Sequence, residues 1–385
     1  MLTAVTLGLM AGCRGLGELE RLSETLTPSA RKLLGLPRRF ADTTLRDTLC
    51  RLRFEDLRAC LHGVVRGARR RKSLKRMALP LHVVAMDGRG TRTPSWEGPF
   101  AQKYHQDGEA PYGLLRTVTS VLVTARGKPC IDVSPIPAET NEMGHFKDAF
   151  DGLVHAYPWV ELVSYDAGAS SQSNGQHVVD CGCHYLFRLN NERHHQQQIA
   201  EELLAQQPFI AEDYEVRSNT HEVRRKLKVM AVNQDKLPTL ARKPVIWEHA
   251  QTLLLIETET VKGGRSSTET RVFISSLPAK TLSSAQWIWT IVRHWRVETA
   301  HQILDTAFAE DDAPWIRTDP NGMLVMMVLR RIALTLLALF RSVTQRSEEK
   351  RQMPWPELLE WVYITLLKAN EHTIAGLRKR SAACS

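Results

Sequence analysis

Four polar residues of the stretch "IVRHWRVETAHQILDTAF", residues 291–308, have the types and spacing to act together. At about 100° per residue, Glu298, His301, Gln302 and Asp305 fall near one face of a helix, with Trp295, Thr299 and Ile303 on its flank. A carboxylate among so many apolar neighbours needs a partner, because desolvating it is costly unless a charge, a donor or a metal compensates. Two more acids supply the context: Asp87 closes the apolar run "LHVVAMD" and Asp166 closes "WVELVSYD", each with a glycine within two residues. Strand ends in a mixed sheet fix a side chain while the following loop leaves room for a ligand. If the two strands are neighbours, the carboxylates converge and repel, and a shared proton or a cation is the remedy. Hard oxygen ligands with open positions suit Mg²⁺ or Mn²⁺. Two such ions, about 3.5–4 Å apart, can activate a water or a 3′-hydroxyl for in-line attack on a phosphodiester.

The elements that must position these acids can be read along the chain. Residues 1 to about 80 have helical spacing, and "TTLRDTLCRLRFEDLRACLHGVV" reads as one helix capped by Thr43 or Thr44. It ends in a basic run holding Arg69, Arg70, Arg71 and Lys72, either a solvated face or a phosphate-contacting surface. After Pro80 the order is strand, strand, strand, helix, strand, helix, strand, with a hairpin across "RGKP" and Phe146, Phe150 and Val154 repeating every fourth position in the first of those helices. From about Asn191 to Ala279 the pattern is β-like and less regular. A long helix carrying Glu298, an apolar helix near 323–341 and a last helix, "PWPELLEWVYITLLKAN", complete the chain.

Composition narrows the class. The 385 residues are 43% hydrophobic and 24% charged, as in an ordinary globular protein. The net charge of +9 favours a polyanionic partner such as nucleic acid. Seven scattered cysteines suit reduced thiols in a cytosol, and Cys181, Cys183 and His184 lack common zinc spacing, so they read as buried residues beside a strand. "MLTAVTLGLMAGC" has no basic n-region and runs on into helix-like sequence, so it is expected not to be an export leader. "MLVMMVLRRIALTLLALF" is broken by Arg330 and Arg331 and is expected in the core rather than in a membrane.

The element order, with acids on the first strand, the fourth strand and a late helix, resembles the RNase H-like core of DDE transposases. The wording resembles one branch of bacterial insertion-sequence transposases, related to the H-repeat-associated proteins: "VVAMDGRGTR", "VELVSYDAGASSQ", "THEVRR", "FISSL", "RHWRVETAHQILDTAFAEDDAPWIR" and "LRRIALTLL" follow its blocks. The resemblance implies an α/β fold: a helical N-terminal, possibly DNA-binding, segment (1–79), an RNase H-like core in two parts (80–190 and 280–345), a β-rich insertion (191–279) and a helical tail (346–385). It implies that Asp87, Asp166 and Glu298 form a metal-binding catalytic triad holding Mg²⁺ or Mn²⁺, two ions in all. Arg293, His294, Trp295 and Asp305 would support it, and His221, Arg224 and Arg225 would contact DNA. Arg296, where a small residue is usual, could pair with Glu298 in competition with metal. The partners implied are double-stranded DNA, as element ends and as target, and a second copy in the DNA complex, in the cytoplasm at the bacterial nucleoid and away from membranes. The absence of a GxxxxGK[ST] loop agrees with transesterification, which needs no external energy source. The rival reading is a catalytically silent, transposase-derived DNA-binding protein.

Overall fold

A computed structural model describes the chain except residues 34, 37–39, 109, 190–194, 234–238, 241–242, 245, 371 and 373–385. Five helices come first: α1 (Leu2–Met10), α2 (Leu16–Thr25), α3 (Pro28–Leu33), α4 (Asp42–Arg51) and α5 (Phe54–Arg70). The single helix expected across α4 and α5 is interrupted at Leu52, which has extended backbone, and α4 starts at Asp42, ahead of the expected threonine caps. Helix α5 shows why it forms. Phe54, Leu57, Leu61, Val65 and Ala68 recur at three and four spacings and are buried, while Glu55 and Asp56 in the first turn and Arg69 and Arg70 in the last complement the helix dipole.

The sheet then begins with β1 (Val83–Thr93), β2 (Ala101–Tyr104), β3 (Tyr112–Leu122) and β4 (Cys130–Ile136). Helix α6 (Glu142–Ala156) leads to β5 (Leu162–Tyr165), and α7 (Gln172–Asp180) to β6 (His184–Arg188). The core order is β4-β3-β1-β5-β6, with β1 antiparallel to β3 and parallel to β5, and β5 parallel to β6. This is the RNase H-like core. Strand β1 does not end at Asp87 as the sequence implies. It runs to Thr93, because "GRGTRT" pairs along its length with Gly113–Val118 of β3. The short strand β2, which the sequence does not announce, pairs with the outer end of β3.

The region after β6 holds α8 (His195–Ala205), β7 (Ala211–Ser218), β8 (His221–Ala231), the two-residue β9 (Thr239–Leu240) and β10 (Lys243–Pro244), β11 (Thr252–Lys262) and β12 (Arg265–Ser275). It is continuous with the core: β12 pairs with β6, and β11, β8 and β7 follow in the same sheet. In β11 and β12 the core-proximal ends are buried; the distal end is exposed in β12 and half-buried in β11 as far as Lys262.

The remaining helices are α9 (Ser284–His294), α10 (Arg296–Thr306), α11 (Pro320–Leu339), α12 (Glu348–Gln352) and α13 (Trp355–Leu367). The long helix expected around Glu298 is two helices, since Trp295 leaves helical geometry at ψ 3° and caps both. The helical stretch Pro320–Thr344 is long and apolar enough to cross a membrane, yet 89% of its apolar window is inside the protein. α11 packs against α1, α4, α5 and β4, so the N-terminal helices share one hydrophobic core with the sheet. Arg330 and Arg331 are buried in it. The Arg331 guanidinium donates to both carboxylate oxygens of buried Glu310, at 3.2 and 2.9 Å, to Thr119 Oγ1 at 3.2 Å and to the Met327 carbonyl at 3.0 Å. Burying a charge at such a depth is tolerable only with this pairing.

Candidate active site

Met86 of β1 lies opposite Tyr165 of β5 in the parallel register, so the next residue on each chain, Asp87 and Asp166, project side by side. Asp166 Oδ1 caps the turn that follows by accepting from the Gly168 N–H at 2.8 Å. A third carboxylate joins them that the sequence reading passed over. Glu142, in the first turn of α6, accepts a hydrogen bond from the Tyr165 hydroxyl at 2.6 Å on Oε1. Ligand oxygens of Asp87, Glu142 and Asp166 all lie within 4.8 Å of one another. Glycines make the space: a Cβ at Gly88 would collide with the Glu142 carboxylate, and one at Gly168 would stand 3.1 Å from Asp166 Oδ1 and 3.3 Å from Glu142 Cδ. Burial pushes the Glu142 carboxyl above its usual range despite the Tyr165 hydrogen bond, and the charges of Asp166 and Asp87 push the same way.

Glu298, on α10 packed against β1, is not among the carboxylates whose oxygens converge. It is exposed, not buried among the aromatics as the sequence implies, because its neighbours Val297 and Ala300 take the core-facing positions. Partial desolvation raises its pKa, and Asp87 and Asp166 raise it further, while Arg271 opposes them. Three elements far apart in sequence thus share one electrostatic site. His301, one turn beyond Glu298, brings Nδ1 to 3.3 Å from Asp87 Oδ2.

The supporting residues expected from sequence divide by what they touch. His294 is buried, shares a hydrogen bond of 3.0 Å with Ser164 Oγ of β5, and has its pKa lowered by burial against the pull of Asp87 and Asp166. It ties the end of α9 to the strand that carries Asp166. Trp295 carries the Arg271 guanidinium 4.3 Å above its ring, and Arg293 lies over Trp289 at 4.9 Å. Asp305 pairs with Arg89, which also bonds Asp311 and the His301 carbonyl, so Asp305 fastens α10 to β1.

Beside Glu298 a cleft of about 780 Å³ separates α9 and α10 from the outer strands, and Arg188, Arg217, Arg271 and Arg296 line it. Arg225, read from sequence as a DNA contact, is buried between Asp213 and Glu215 at 2.7 and 2.8 Å, so a phosphate would have to break two ion pairs to reach it. Arg224 is exposed and paired with Glu212, and His221 stands half-buried at the start of β8. Arg69, Arg70, Arg71 and Lys72 are exposed at the end of α5, with Arg69 stacked on Trp159 at 4.4 Å. Cys183 is buried as expected, but Cys181 is exposed: it ends α7 near His177 and Asp151, whose Nε2 and Oδ1 are 2.6 Å apart.

A family model described as "Transposase DDE domain" matches residues 79–336, well over half of the chain. The chain belongs to that family. The matched span contains Asp87, Glu142, Asp166 and Glu298, so the converging carboxylates belong to the transposase domain itself. No curated protein matches the chain. Among solved structures, a piggyBac transposase synaptic complex with hairpin DNA is similar at a TM-score of 0.43 and 11% identity, over 98% of this chain and 71% of that one.

Proposed function

We propose that the protein is an active DDE transposase that cuts phosphodiesters at the ends of its own mobile element and joins the freed 3′-hydroxyls to target DNA. The observation that carries this reading is the placement of Asp87 on β1 and of Asp166 directly after its parallel neighbour β5, with ligand oxygens of the two within 4.8 Å of each other and with α10, which bears Glu298, packed against β1. The donor set fits divalent magnesium or manganese: hard carboxylate oxygens, a cradle kept open by Gly88 and Gly168, and mutual repulsion that a cation relieves. Asp87, Asp166 and Glu298 would hold the metal, two ions in this reading. Bound ions of this kind activate the attacking hydroxyl and stabilise the leaving oxygen.

The chain's own residues do the rest. Asp87 and Asp166 are fixed by the sheet, Asp166 by its bond from Gly168 as well. The Arg89 bonds to Asp305 and to the His301 carbonyl hold α10 against β1, which keeps Glu298 at the site. Arg296 lines the adjoining cleft with Arg188, Arg217 and Arg271, which would exchange their pairs with Glu269 and Glu215 for a phosphate backbone. Double-stranded DNA is therefore the partner, engaged by two copies at paired ends; that pairing and the bacterial, cytoplasmic setting rest on the sequence resemblance.

The test is cleavage of a plasmid carrying the native flanks of the reading frame, in Mg²⁺ or Mn²⁺, by wild type and Asp166→Asn. Cuts at a defined flank position in the wild type alone support the reading. Flank binding by both proteins with cutting by neither would replace it with a silent DNA-binding descendant.

A further inference from the structure

Glu142 is where the sequence reading and the geometry part most usefully. It stands 55 residues after Asp87 and 24 before Asp166 on a helix that has no other acid in its first turn, and the fold delivers its carboxylate to both of them. Its position is built rather than incidental. Asn141 caps α6 by accepting from the Gly144 N–H at 2.9 Å, which fixes where the first turn begins. The Tyr165 hydroxyl, on the residue immediately before Asp166, holds Oε1 at 2.6 Å. Gly88 and Gly168, the glycines that follow the two aspartates, leave the volume its head group occupies.

Resting on the transposase reading above, we propose that Glu142 is a fourth carboxylate of the metal site, a ligand to an ion held by Asp87 and Asp166, with Tyr165 as its positioning residue. Three carboxylates whose ligand oxygens lie within 4.8 Å repel one another without a cation and supply an oxygen-rich shell with one. A residue serving only as a helix-start charge would gain the same dipole interaction while pointing to solvent. Glu142 instead is half-buried, with a tyrosine hydroxyl and two glycines arranged around it. The arrangement assigns one ion position to Asp87, Asp166 and Glu142, with Glu298 at the adjoining cleft.

The experiment is Mn²⁺ binding to the full chain without DNA, by isothermal titration calorimetry and by the loss of the free-ion paramagnetic resonance signal. Wild type is compared with Glu142→Gln, Tyr165→Phe, Asp87→Asn and Glu298→Gln, each first shown to melt cooperatively; Glu142→Ala replaces Glu142→Gln if the latter fails to fold. Removal of groups around a metal ligand costs about 10–100-fold in affinity. Glu142→Gln is therefore expected to weaken the tightest Mn²⁺ site by at least about tenfold, as Asp87→Asn does, and Tyr165→Phe by less. Glu142→Gln binding Mn²⁺ like wild type while Asp87→Asn does not would overturn the proposal and leave the triad standing. Unchanged binding in both would overturn the metal reading of the whole site, and this inference with it.

Discussion

The buried pair behind the site gives the most quantitative prediction. Glu310 and Arg331 have side-chain exposures of 1% and 0%, and Arg331 also bonds Thr119, the residue opposite Asp87 in the β1–β3 register. Glu310→Gln removes the negative charge and leaves the guanidinium inside α11's core with neutral acceptors only. Two charge-assisted hydrogen bonds at about 1.5–3 kcal/mol each set the scale, and unpairing a buried charge costs about 3–5 kcal/mol. Gln keeps one acceptor, so a loss of about 3 kcal/mol is expected. The sign with pH follows from Glu310 itself. Burial alone would raise its pKa, but Arg331, Arg330 and Arg89 more than offset this and hold it below the usual carboxylate range. Its contribution is therefore complete above the unfolded pKa and fades as pH falls through the folded one. The assay is urea unfolding of the full chain at pH 7, followed by tryptophan fluorescence, where the midpoint should fall at an unchanged slope. Replacing both partners, Glu310→Met with Arg331→Met, should recover only part of the loss, because buried Arg330 also relies on the Glu310 charge. A single variant within about 1 kcal/mol of wild type would refute the argument that the pair compensates a buried charge.

Three further outcomes are expected. Asp132→Asn, which loosens the buried clamp of Arg58 at 2.6 Å and His62 at 2.7 Å between α5 and β4, should cost about 3 kcal/mol at pH 7. Burial works against the Asp132 charge, but the bonds from Arg58 and His62 win and lower its pKa from 3.8, so the gap to wild type should close only below about pH 4; a gap constant to pH 3 in urea midpoints would refute this. Arg89→Gln should slow flank cleavage about tenfold through release of α10, with DNA affinity unchanged in a fluorescence-anisotropy titration, and an unaltered cleavage rate would remove Arg89 from the positioning scheme. Gly88→Ala should displace the Glu142 carboxylate and weaken Mn²⁺ binding about as much as Glu142→Gln, and calorimetry matching wild type would count against the cradle.

What the sequence disclosed follows from which contacts are local. Asp87 and Asp166 could be picked out because each follows a short apolar run, and the order of strands and helices brings those runs together. The continuation of β1 through Gly88, Gly90 and Thr93 was hidden, since glycine and charge weaken a strand signal and only pairing with β3 stabilises it there. The break at Trp295 has no glycine or proline to mark it. Its anchors are tertiary, His294 on Ser164 and Trp295 under Arg271. Glu142 escaped because an acid beside a helix cap is fully explained by the dipole. The only clues were glycines following both aspartates and a tyrosine preceding the second. The strands of the insertion were visible as β-like texture, but α8 and the pairing of β12 with β6 depend on contacts that no local spacing encodes.

That pairing has a mechanical consequence. β11 and β12 each run 11 residues, about 35 Å at the rise of an extended chain, from the β6 edge out to the turn at Gly263 and Gly264. Their inner thirds are locked in the core, so amides there should exchange with solvent only when the whole domain opens, while amides at the tip exchange by fraying. The two strands act as a lever: a tug on the tip is transmitted through a ladder of backbone hydrogen bonds to β6 and then to β5, the strand that leads into Asp166.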